Sequence, residues 1–116
     1  MSAPACISPF DVAEAQLDAY NAQDLEAYCS FFSDDVIVAD LNGAVTMSGI
    51  DAFRTKYAQV FADFPENKVQ LLARMTIGHT VIDHELVIRK PGGDQFEVAA
   101  IYTISDAKIV RVDFVK

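Results

Sequence analysis

Apolar residues recur along this chain with two different periods. Up to residue 64 the spacing is mostly helical, and from residue 67 it is that of extended strands. Ser8-Pro9-Phe10-Asp11 has the form of a helix start: a hydroxyl cap, proline at the first helical position and an acid in the first turn. Phe10, Ala13, Leu17 and Tyr20 continue it, and Asn21-Ala22-Gln23 breaks it. Asp24 caps a second, shorter helix with Leu25, Tyr28, Cys29 and Phe32 on one face. Ser33-Asp34-Asp35 reads as a turn, Val36 to Leu41 as a β-branched strand, and Asn42-Gly43 as a tight hairpin into Ala44–Met47. A third helix opens at Ser48-Gly49-Ile50-Asp51, carries Phe53, Tyr57, Val60, Phe61 and Phe64 on one stripe, and stops at Pro65.

Beyond it, Val69, Leu71, Ala73, Met75 and Ile77 alternate with more polar neighbours, as on the buried face of one strand. Turns at Gly78-His79, Pro91-Gly92-Gly93-Asp94 and Ser105-Asp106-Ala107 separate strands at Thr80–Lys90, Gln95–Ile104 and Lys108–Val115. Turns this short imply antiparallel pairing. Helices gathered on one side of a twisted antiparallel sheet make an α+β domain. The 116 residues suit one domain, residues 1–7 being a loose tail, with no internal repeat.

Composition narrows the function classes. At 52% apolar the chain does not match the signature of disorder. Nine basic against 17 acidic residues give a net charge of −8, which disfavours nucleic acid and anionic membrane surfaces as partners. No apolar run is long enough to span a bilayer, and the first residues do not form a secretory signal, so the expectation is a cytoplasmic protein. Cys6 and Cys29 fit no metal spacing and read as a tail thiol and a core thiol. No nucleophile-elbow or phosphate-loop pattern occurs, and neither metal nor cofactor is expected.

Tyr20-Asn21-Ala22-Gln23-Asp24-Leu25-Glu26-Ala27, followed by Phe32-Ser33-Asp34-Asp35-Val36-Ile37-Val38-Ala39-Asp40, resembles the opening of the nuclear transport factor 2-like superfamily. Its SnoaL-like and ketosteroid-isomerase-like branches are the nearest match. Gly49-Ile50-Asp51-Ala52-Phe53 and Lys108-Ile109-Val110-Arg111-Val112 fit the same pattern. The resemblance implies a cone: a curved sheet wrapped around three helices, enclosing an apolar pocket. It also implies a homodimer formed through the outer face of the sheet. In the isomerases a carboxylate base ends the first strand, and the spacing from Phe32 places Asp40 there. Their oxyanion-binding tyrosine falls on Gln16 and their protonated acid on Ala100, so two of the three roles are unfilled at the matching positions.

Strand alternation puts Asp40 on one face with Val36 and Val38, where it is either a pocket base or a solvated turn residue. His84 alternates with Ile82, Leu86 and Ile88, which points it inward and sends Asp83 and Glu85 outward with Arg89. An inward histidine could partner Asp40 in acid–base chemistry, or be a core residue bonded to a carbonyl or to Tyr102. Gln16, Tyr20, Tyr57 and Tyr102 are candidates to bind substrate polar groups, and Phe53, Val112 and Phe114 to form pocket wall, with Phe61 and Met75 as wall or core. The expected activity is cofactor-independent proton transfer on a small hydrophobic carbonyl compound. The alternative is a non-catalytic module that binds a hydrophobic ligand or dimerises, its pocket plugged by Phe10, Phe53 or Phe61. An open cavity reaching Asp40 separates the two.

Overall fold

A computed structural model describes residues 8–116; the expected tail and Cys6 lie outside the described residues. The order is α1 (Pro9–Ala22), α2 (Leu25–Ser30), β1 (Phe32–Asp40), β2 (Val45–Ser48), α3 (Ile50–Asp63), β3 (Lys68–Ile77), β4 (Thr80–Ile88), β5 (Gln95–Ser105) and β6 (Lys108–Val115). The helix starts are as the sequence implies. The Ser8 hydroxyl accepts from the Asp11 amide while the Asp11 carboxylate accepts from the Ser8 amide, a complete capping box. Gln23 ends α1 in the left-handed region, and the Asp24 carboxylate caps α2 by accepting from the Ala27 amide.

The six strands form one curved sheet in the order β2-β1-β6-β5-β4-β3. The strands following α3 are antiparallel neighbours, whereas β1 runs parallel to β6 and so closes the chain's first strand against its last. Ser33-Asp34-Asp35 is not a turn: it lies within β1, where pairing with β6 shifts register between Phe32 and Ile37. The helices cover the concave face. Tyr20, Tyr28, Phe32, Phe53, Tyr57 and Phe61 pack there as an aromatic cluster, with Phe32 and Phe53 ring centroids 4.3 Å apart. Among the described residues, no helix is long and apolar enough to cross a membrane.

One irregularity reorients half of β3. Val69 pairs with Val87 and Leu71 with Glu85, but the register shifts between Leu71 and Ala73. A bulge adds one residue and so swaps the two faces of the strand beyond it. Past that point Arg74 turns inward opposite Asp83, while Met75 and Ile77, expected on the buried side, are 54% and 65% exposed on the outside.

Candidate functional site

The bulge decides which side of β4 meets the helices. Ala73 pairs with His84 and Met75 with Ile82, so His84 follows that row onto the outer face. Its side chain is 49% exposed, and Nε2 lies 2.5 Å from Glu97 Oε1. The expected inward histidine is therefore corrected: His84 does not line the cavity and cannot cooperate with Asp40. Asp83 and Glu85, expected outside, are buried instead, together with Val81 and Val87.

Two buried acids on adjacent same-face positions need compensation. Asp83 receives it directly. Arg74 donates from Nε to Oδ1 at 2.7 Å and from Nη2 to Oδ2 at 2.9 Å, and its Nη1 reaches Glu14 at 2.7 Å. Phe10, 48% exposed, covers this guanidinium from outside, 5.1 Å from ring centroid to Cζ. Glu85 has no such partner. Burial and the neighbouring Asp83 charge push its pKa up to about 8, while Arg74 and a hydrogen bond from Tyr102 pull in the other direction. At neutral pH Glu85 is consequently mostly a carboxylic acid, able to donate a hydrogen bond.

Glu85 opens onto a cavity of about 400 Å³ between the sheet and the helices. Asp40 lines the same cavity from the end of β1, exposed at the mouth beside Phe114, its register partner on β6. Its backbone is fixed by the hairpin: the Asp40 amide donates to the Ala44 carbonyl, and the Gly43 amide donates to the Asp40 carbonyl. One row of paired residues runs Asp40, Phe114, Ala100, Asp83 across β1, β6, β5 and β4. Three strand spacings, roughly 14 Å measured along the sheet, therefore separate Asp40 from the Asp83 position. Glu85 lies two residues further along β4.

Gln16, Tyr20, Tyr57, Tyr102 and Phe114 line the cavity. Gln16 Nε2 donates to the Tyr102 hydroxyl at 3.2 Å and to the Ala13 carbonyl at 3.0 Å, which fixes the amide's orientation. Burial raises the tyrosine pKa values, most strongly those of Tyr28 and Tyr102, so these hydroxyls remain protonated. Phe53 and Val112 do not line the cavity. Phe53, 1% exposed, is locked between Phe32, Tyr28 and Tyr57, and Val112, 2% exposed, packs in the sheet core. None of Phe10, Phe53 or Phe61 plugs the cavity. Among the described residues, no group of three histidine, cysteine, aspartate or glutamate side chains is placed to hold a metal.

Sequence reasoning missed Glu85 as a cavity residue, and Arg89 with it. Both faces of β4 carry aliphatic residues, so apolarity could not tell inside from outside. The usable signal was Arg74: a charged residue in the alternating run of β3, opposite Asp83 once the Gly78-His79 turn sets the hairpin.

A curved six-stranded sheet with helices on its concave face matches known proteins. The family model for the SnoaL-like domain matches residues 13–112. The chain belongs to the SnoaL-like family. A solved structure of an uncharacterised cystatin-fold protein from Novosphingobium aromaticivorans is 32% identical, with a TM-score of 0.88 over 96% of this chain and 100% of that one. A candidate polyketide cyclase from Sinorhizobium meliloti superposes with a TM-score of 0.77 at 23% identity, covering 90% and 94% of the two chains. A Catenulispora acidiphila protein with a ketosteroid-isomerase-like fold, solved with trimethylamine, gives 0.74 at 17% identity over 91% and 85%. These last two share the fold alone. No curated protein matches the chain.

Proposed function

We propose that this SnoaL-like protein is a cofactor-independent acid–base enzyme, transferring a proton next to the carbonyl of a small, largely apolar substrate. The observation that carries the reading is one open cavity lined by a solvated carboxylate, Asp40, and a buried carboxyl group, Glu85, that holds its proton at neutral pH. Two carboxyls in contrasting environments divide the base and acid roles. Asp40 takes the proton from the carbon beside the carbonyl. Glu85 and the Tyr102 hydroxyl donate hydrogen bonds to the carbonyl oxygen as negative charge builds there. Returning the proton to a different carbon completes an isomerisation. The hydroxyl absent from the Gln16 position is supplied by Tyr102, which Gln16 holds in place, and the acid absent from Ala100 by Glu85 on the neighbouring strand.

The test is deuterium incorporation beside the carbonyl of 4-phenyl-2-butanone in D2O, followed by NMR. The wild type should catalyse exchange. Asp40→Asn should abolish it, and Glu85→Gln, which keeps a hydrogen-bond donor, should retain a measurable fraction. No exchange by the wild type over buffer with this ketone or the corresponding oxo acid, alongside saturable binding, would instead establish a ligand-binding module.

A further inference from the structure

The cavity is lined by an arginine that has no carboxylate partner. The chain has four arginines. Arg54 pairs with Glu26, Arg74 with Asp83 and Glu14, and Arg111 with Asp113. Of the four arginines, all of them described, Arg89 alone forms no ion pair, in a chain where acidic residues outnumber basic ones 17 to 9. It is half-buried, just past the end of β4, and lines the cavity. Its position is nonetheless fixed. The guanidinium lies over the Phe64 ring at 5.0 Å and the Phe96 ring at 5.3 Å, and Nη1 lies 3.5 Å from Oδ1 of fully buried Asn67. Asn67 in turn donates to the Tyr20 hydroxyl. Glu85, four residues back along the chain, does not bond to it, although both groups act on Tyr20 and Tyr57, so the two border one part of the cavity.

Stacking uses the face of a guanidinium and not its N–H edge; Asn67 and Tyr20 take part of that edge here, and the remaining N–H groups of the five can meet a carboxylate with two hydrogen bonds. Lys56 and Lys116 also line the cavity, so the potential favours an anion there. We infer that Arg89 is a carboxylate-binding residue and that the ligand of this cavity is a small apolar oxo acid, its carboxylate on Arg89 and its carbonyl toward Glu85 and Tyr102. This inference rests on the cavity being the binding site of the proposed enzyme, and it names the substrate class.

Isothermal titration of the full chain with 4-phenyl-2-oxobutanoate and with 4-phenyl-2-butanone isolates the carboxylate, since the second probe has a methyl group in its place. The acid should bind roughly ten- to a hundredfold more tightly, as expected for charge-assisted hydrogen bonds. Arg89→Gln should erase that preference while ketone affinity stays within about twofold, and Arg89→Lys should restore part of it. Added salt should weaken binding of the acid selectively. Equal affinity for the two probes in the wild type, or a preference that survives Arg89→Gln, overturns the inference and leaves the acid–base reading intact. Preferential binding of the acid without proton exchange supports the inference and removes the enzyme reading. Failure of both probes to bind at millimolar concentration overturns both. A circular dichroism melt of each variant confirms folding before titration.

Discussion

Glu85 couples the chemistry of the cavity to the stability of the fold. Its carboxyl titrates near 4.5 when solvated and near 8 in the folded protein, because burial and the Asp83 charge both oppose ionisation. The native state therefore binds the Glu85 proton more tightly than the unfolded chain does. Below pH 4.5 both states are protonated and the group contributes no pH dependence. As pH rises from there toward 8, the unfolded chain loses the proton first, and stability falls with increasing pH. The rise from 4.5 to about 8 corresponds to roughly 5 kcal/mol over the whole window, at about 1.4 kcal/mol for each pH unit. Glu85→Gln replaces the neutral acid with a near-isosteric amide that does not ionise. Urea denaturation of wild type and variant should therefore give similar stabilities near pH 4. The variant should become progressively more stable in comparison, by about 3 kcal/mol at pH 7, with the gap levelling above pH 8. A difference that stays flat between pH 5 and 8, or a variant that loses ground as pH rises, would refute the buried-acid argument.

Other outcomes follow from the same geometry. Arg74→Met leaves Asp83 buried without its partner and should cost about 3–5 kcal/mol in urea denaturation, and Arg74→Met with Asp83→Leu should recover much of that loss. His84→Ala should leave proton exchange unchanged, because the ring lies on the outer face; a large drop in kcat would show that this face communicates with the cavity. Met75 and Ile77 form part of an exposed apolar outer face, which we propose as the homodimer surface. Met75→Glu with Ile77→Lys should convert a dimer to a monomer in sedimentation velocity, and a wild type that sediments as a monomer would refute the proposal.

Much of the architecture follows from local chemistry. The Ser8 and Asp24 caps, the Asn42-Gly43 hairpin and the turns between the long strands each state themselves in a few neighbouring residues. The placement of Asp40 with Val38 at the cavity, and of Gln16, Tyr57 and Tyr102 around it, was legible because helix and strand periods assign faces wherever one face is clearly polar. Local pattern failed at β3 and β4. Extending the alternation of Val69 and Leu71 through Ile77 predicts Met75 and His84 inside, and one extra residue at the bulge reverses that. A bulge shows no reliable mark in an apolar run, and the outer face of this sheet is itself apolar. Only the assembled sheet, with Arg74 paired across to Asp83, decides which acids are buried. The sequence by itself thus determined the order of elements, the family and the candidate base. The tertiary structure decided the acid, by removing Glu85 from water beside Asp83, and singled out Arg89, by giving every other arginine a carboxylate. Both depend on long-range pairing and on solvent exclusion, neither of which a residue carries in its neighbours along the chain.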